Sequence, residues 1–371
     1  MRVGIVLLAV ALFGAEPANA AVLYSIKDLG TLGGTVSWAF GINASGQVTG
    51  GANTNDSIHA FLYDGAKMND LGTLGGSSSV GHGINDLGQV TGVADTADNQ
   101  GGHAFLYDGT KMNDLGTLGG SSSVGLGIND SGQVTGASLT ANDSSEHAFL
   151  YNGTGMVDLD TSGGAYSYGS RVNGLGQVAG AIWPPHAAVY DGGRVVDLGT
   201  LGGTLSQGFG INNSGQVTGW ADIIGDQATH AFLYDGIQMI DLRTLGGTYS
   251  SGNDVNNLGQ VVGWSGIGDG QLTFSGGSSL AFLFDGTNML DLNSLISPDS
   301  NWILYNATGI NDAGQITGNG IVNGEYRAFL LTPLSTSAVP DSPAWITMIA
   351  GFGMIGGLAR LKPFSRASSH R

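Results

Sequence analysis

The chain has 371 residues, 66 of them glycine, with no cysteine; an ordinary protein holds about 7% glycine. Lys and Arg number 12 against 29 Asp and Glu, a net charge of −17. That balance excludes the basic footprint of a nucleic-acid binder, and an exported chain without cysteine must draw its stability from burial and closure rather than disulfides.

Residues 1–20 read as a secretory leader. Arg2 supplies the positive charge, Val3–Ala15 is mostly apolar, and Ala18 and Ala20 frame a small-x-small site that predicts cleavage after Ala20. From 22 to 335 the chain carries 7 Lys and Arg against 27 Asp and Glu, a net charge of −20.

Three phrases then recur in fixed order. A GINxxGQVTG phrase or close variant has its Asn at 43, 85, 129, 173, 212, 256 and 311. An HAFLYDG phrase or degraded copy begins at 59, 103, 147, 186, 230, 280 and 327. A DLGTLGG phrase begins at 28, 70, 114, 158, 197, 241 and 291. A period of about 44 residues marks a solenoid, propeller or array. Within each unit the stretch before Ile-Asn predicts a first strand and GQVTG a second, joined by a tight Asn-x-x-Gly hairpin. HAFLY alternates with period 2 as a third strand, Asp-Gly turns the chain, KMNDLG forms a fourth, and GTLGG crosses to the next unit.

Four antiparallel strands per unit fit a propeller blade. The last unit has its first three strands (WILYNATGIN, GQITGNGIV, YRAFLLTP) and no fourth, whereas the mature chain opens on a stray YSIKDLGTLGG. One shared blade completes the count and removes the exposed edges of an open stack. The expected fold is all-β: a seven-bladed propeller over residues 21–335, its last blade closed by the N-terminal strand. The body resembles the HAF family of probable extracellular repeats through His59-Ala60-Phe61, His103-Ala104-Phe105, His147-Ala148-Phe149 and His230-Ala231-Phe232. That resemblance implies export and repetition and transfers no activity.

Residues 336–343 read as a linker and sorting motif, 344–361 as a single transmembrane helix of about 25 Å, and 362–371 as a basic cytoplasmic tail. Val339, Pro340, Asp341 and Pro343 before the helix resemble a PEP-CTERM sorting signal in a VPDSG-like variant, with Asp341-Ser342 intervening before Pro343. The resemblance implies an exosortase-type processing partner, transient anchoring in the inner membrane, and release at the surface of a Gram-negative cell.

The recurring polar residues read as framework. Five of the seven histidines occupy one repeat column (His59, His103, His147, His186, His230), where a strand-edge hydrogen bond explains them better than a metal site. The Asp of Asp-Gly (64, 108, 191, 235, 285) and of DLGTLGG read as turn and backbone contacts. No catalytic residue or metal ligand set is assigned, and no cofactor is expected except calcium at the loops 95–102 and 141–146, neither of which matches an EF-hand.

Departures from the repeat are the candidate site. Arg171 and Asp254 replace the Gly before Ile-Asn; Trp220 and Trp264 follow GQVTG-type strands; Trp183 precedes Pro184-Pro185; Trp38 and Tyr168 share a column; residues 265–279 are an insertion. Aromatics suit sugar faces and interface anchors, with the tryptophans as fillers between blades being the plainer reading. The expectation is a non-catalytic surface or matrix module binding polysaccharide or surface protein. The alternatives are a glycan hydrolase or lyase with its site at the channel mouth, or a purely structural matrix component.

Overall fold

The computed structural model describes residues 23–97, 101–160, 164, 166–268 and 279–334. They form seven four-stranded antiparallel sheets, a seven-bladed β-propeller. Blade 1 runs Ser37–Ile42, Val48–Asn53, Ile58–Tyr63 and Met68–Asp70, and blades 2 to 6 repeat this order. Blade 7 takes Trp302–Ile310, Ile316–Val322 and Glu325–Pro333 from the end of the chain and Tyr24–Asp28 from its beginning. The register runs from Tyr24 opposite Pro333 to Asp28 opposite Phe329, so the shared blade is present as expected.

Local chemistry makes the strands. In blade 1 the amide oxygen of Asn43 accepts from Ser45 N and Gln47 N, which folds the first hairpin. Asp64 accepts from Ala66 N and Lys67 N at the outer turn. Those N–H groups, with the Asn69 amide, hold its carboxyl down at about 2.

Packing explains the HAFLY pattern. Ala60 and Phe61 are both fully buried although they face opposite sides of the sheet, because each blade is covered on both faces by its neighbours. Each of the seven hydrophobic clusters spans one seam between adjacent blades: Ala60 and Leu71 of blade 1, for example, pack with Ile84, Val90, Ala94 and Phe105 of blade 2. Six seams also carry a buried Ser hydroxyl from the following blade that accepts the N–H of the HAF alanine, as Ser79 does from Ala60 at 2.8 Å. The glycine ending VTG allows the first two strands to close up: a Cβ on Gly50 would lie 1.8 Å from the Trp38 carbonyl oxygen.

Two features differ from expectation. GTLGG is not only a crossing: in blades 2, 3 and 5 its terminal Gly-Gly begins a ten-residue first strand (Gly75–Ile84, Gly119–Ile128, Gly202–Ile211). Between blades 6 and 7 two short 3-10 helices, Leu292–Leu295 and Pro298–Ser300, take its place. Among the described residues no helix is long and apolar enough to cross a membrane. The leader with Ala18 and Ala20, the motif Val339, Pro340, Asp341 and Pro343, the helix 344–361 and the basic tail lie outside the described residues, as do 269–278 of the insertion.

Every first strand carries a β-bulge at the same place. The register slips across Ala39/Gly41, Gly81/Gly83, Gly125/Gly127, Gly169/Arg171, Gly208/Gly210, Gly252/Asp254 and Ala307/Gly309. A bulge leaves one residue unpaired and re-aims its side chain. The seven residues so released are Phe40, His82, Leu126, Ser170, Phe209, Asn253 and Thr308, and all of them line one central cavity.

Candidate functional site

The two ends of the central channel are built differently. At one end the seven Ile-Asn asparagines form a closed circuit. Asn43 donates its amide to Asn85 O, Asn85 to Asn129 O, Asn129 to Asn173 O, Asn173 to Asn212 O, Asn212 to Asn256 O, Asn256 to Asn311 O, and Asn311 back to Asn43 O, at 2.9–3.2 Å. Outside this ring Asp86, Asp130, Asn213, Asn257 and Asp312 each accept a backbone N–H from the preceding blade. The asparagine and the Ile or Val before it come from every blade, so this end reads as framework around a depression of about 220 Å³, with Ala44 and Gly174 the departures in the outer column.

The other end holds a cavity of about 350 Å³ whose wall departs from the repeat. Phe40, Leu126 and Phe209 supply apolar surface; Tyr168, Gln207, Asn253, Asn306 and Thr308 supply hydroxyls and amides. Arg171 stands where most blades have glycine. Its guanidinium reaches from blade 4 to the carbonyls of Leu126 at 2.6 Å and His82 at 3.3 Å through Nη1, and of Phe40 at 3.0 Å through Nη2. One side chain therefore bridges the lumen to blades 3, 2 and 1. Ser170 Oγ donates to Gly208 O, the Asn253 amide to Asn306 Oδ1 and Ala307 O, and Thr308 Oγ1 to Ala39 O, which ties the remaining wall together.

Burial shifts two titratable groups near the cavity. Burial, and after it the positive charge of Arg171, pushes the His82 imidazole down to about 4; its ring lies 5.1 Å from Phe40. Burial also raises Asp254 above the ordinary carboxyl range, opposed by Arg171 and by the N–H of Ile310 that it accepts at 3.1 Å. The His82 value carries a pH dependence. A histidine whose folded value lies below the unfolded one of about 6.5 withdraws stability as pH falls from there, because only the unfolded chain takes the proton. The unmodified chain is expected to lose on the order of 2 kcal/mol relative to His82→Gln between neutral pH and pH 4.5. Parallel urea midpoints for the two proteins at each pH measure it; equal shifts would remove His82 as the cause.

Of the seven departures, Tyr168 and Arg171 line the cavity. Asp254 occupies the Arg171 position in blade 6 but does not form part of its wall. Trp38 pairs with Gly51 at the level of Tyr168, outside the wall. Trp220 and Trp264 are not among the residues lining the cavity. Each sits on a second strand, opposite Gln207 and Ser251, and is half-buried. Trp220 shares its face with Thr218, whose hydroxyl abuts Gly252 of blade 6, so it points into a seam and fills space between blades. Trp183 is 60% exposed and meets the 56%-exposed Tyr166 edge-on, ring centres 6.0 Å apart.

The wall residues that the repeat comparison passed over are those of the bulge and of the position two before it, Gln207 and Asn306 among them. A signal existed: three residues before each ring asparagine the column reads Phe, His, Leu, Ser, Phe, Asn, Thr, and five before it Trp, Val, Val, Tyr, Gln, Ser, Asn, the two most varied columns of the first strand.

The histidine column and the DLG aspartate column, read separately in the sequence, are one device. His59, His103, His147, His186 and His230 each place Nδ1 2.8–2.9 Å from the Asp eleven residues later. That Asp also accepts the backbone N–H two residues on, as Asp70 does from Gly72. In blade 7 Arg327 stands in the histidine position and meets Asp28 of the N-terminal strand at 3.7 Å. In blade 6 Leu280 stands there, and Asp291 caps the 3-10 helix instead.

Each of the two loops considered for calcium holds an aspartate that accepts a backbone N–H. Asp95 accepts from Ser78 N and Asp143 from Ser121 N, each within its own blade; residues 98–100 lie outside the described residues. Among the described residues no three His, Asp or Glu gather as a metal set.

No family model and no curated protein matches the sequence. Three solved structures align with the chain. The β-propeller domain of the Trilobed protease from Pyrococcus furiosus aligns at TM-score 0.48 and 7% identity, over 84% of this chain and 94% of that one. TolB from Acinetobacter baumannii aligns at TM-score 0.34 and 14% identity, over 82% of this chain and 65% of that one. A Trypanosoma rangeli sialidase aligns at TM-score 0.41 and 9% identity, over 84% of this chain and 59% of that one. The chain thus spans less than two thirds of the latter two. The strand order of its own seven sheets makes the chain a seven-bladed β-propeller with four-stranded antiparallel blades.

Proposed function

We propose that the protein is an exported, non-catalytic propeller that binds polysaccharide at the cell surface or in the extracellular matrix through the cavity end of its channel. One observation carries the reading. The framework end is ringed by one Asn and one Ile or Val from every blade, whereas Tyr168, Arg171, Gln207, Asn253 and Asn306, residues that break the repeat, converge on a single cavity. Neutral hydroxyls and amides beside aromatic rings match the alternating polar and apolar surface of a sugar. The leader and the motif Val339-Pro340-Asp341 support export and sorting by an exosortase-type enzyme.

A glycan array probed with residues 21–338 tests the reading. Gln207→Ala is expected to weaken the strongest interaction about tenfold, one hydrogen bond's worth, while Trp220→Ala leaves it within about twofold. An array with no interaction, or loss confined to Trp220→Ala, would end the assignment to this cavity.

A further inference from the structure

The Arg171 bridge has a consequence for the shape of whatever enters. In five of the seven blades the corresponding residue is glycine (Gly41, Gly83, Gly127, Gly210, Gly309), and seven glycines would leave the lumen open at that level. Instead the guanidinium extends into it and is tied to carbonyls of blades 3, 2 and 1. Beneath it the asparagine circuit draws the blades together around the opposite mouth. Arg171 is therefore part of the cavity's floor and narrows the lumen beneath it.

We infer that this pocket holds the terminal sugar of a neutral glycan, taken end-on, rather than an internal stretch of polymer lying across the face. The inference rests on the polysaccharide reading above and narrows it. A lumen narrowed by Arg171 does not suit a threading polymer, and about 350 Å³ lies at the small end of the roughly 300–1,000 Å³ range of small-molecule sites, which suits one terminal ring. The wall offers that ring the Tyr168 hydroxyl and the Gln207 amide, neither of which bonds within the described protein, with Phe40 and Phe209 for its apolar face. Charge selects a neutral residue. Arg171 is the one cationic side chain in the wall, its guanidinium already donates to three carbonyls, and the body carries −20. A uronate would meet an acidic protein without a free cation to receive it.

The test is calorimetric titration of the mature chain with homologous linear oligosaccharides of two to eight units, in gluco, galacto, manno and N-acetylglucosamine series, with uronic-acid oligosaccharides as the anionic arm. End-on capture predicts that affinity in a binding series levels off after two or three units. It also predicts that polymer capacity, per gram, rises in proportion to chain ends when the polymer is partly digested. Arg171→Gly, which restores the repeat's glycine and opens the floor, is expected to weaken binding tenfold or more. Gln207→Ala is expected to do so about tenfold by removing a wall contact and serves where Arg171→Gly fails to fold. Affinity that climbs steadily with length, or capacity that follows polymer mass, overturns end-on capture while leaving polysaccharide binding intact. Preference for the uronic series overturns the neutral assignment. No binding in any series overturns both this inference and the function it rests on.

Discussion

Deleting residues 21–28 is expected to cost more than about 5 kcal/mol and to leave most of the chain aggregated. The deleted strand is the fourth of blade 7, paired along its length with Phe329–Pro333. Tyr24, 8% exposed, belongs to the core shared by blades 6 and 7, and Ile26 packs against it. Leu23 N donates to Leu295 O, and Arg327 loses Asp28, its partner from that strand. Burial of the two larger side chains contributes about 1.5–3 kcal/mol each, and the broken ladder exposes Glu325–Pro333 as an unprotected edge, a template for pairing with other chains. Size-exclusion chromatography and urea unfolding of the truncated protein measure the loss. A synthetic peptide of residues 21–31 added during refolding is expected to recover part of the monomer by mass action. A truncated chain with an unchanged midpoint would show that the N-terminal strand does not hold the ring.

Asn129→Ala is expected to destabilise by about 3 kcal/mol, since each orphaned buried group costs about 1–3 kcal/mol. The Asn129 amide oxygen accepts from Ser131 N and Gln133 N, and its nitrogen donates to Gln133 Oε1 and Asn173 O. Alanine leaves the two hairpin donors without their side-chain acceptor and breaks the circuit at one link. Asp130→Ala, one residue on and exposed, removes a single acceptor for Asp86 N and is expected to cost less than about 1 kcal/mol. Urea midpoints of the two variants against the parent decide it. Equal losses would mean that the ring asparagines act only as turn residues.

The contrast between these substitutions reflects what each level of structure controls. Asn-x-x-Gly hairpins and Asp-Gly turns are short-range chemistry, so strand count and period are visible in the letters. The missing fourth strand of the last unit, set beside the stray one at the start, implies closure from the letters alone. The tryptophans were harder. In a propeller both faces of a middle strand are covered, so the alternation around Trp220 cannot tell a seam from a surface; the neighbouring blade's Gly252 settles it. Histidine and aspartate eleven residues apart could be listed as columns, but not as partners, until the third and fourth strands were paired.

Repetition, turn chemistry and the split blade belong to the linear chain, because each depends on residues within one unit or on counting units. The site belongs to the closed ring. Seven bulges aim seven unrelated side chains at one axis, and the Arg171 guanidinium reaches carbonyls 45 to 131 positions away in the chain, contacts that exist only once all the blades have closed around a common lumen.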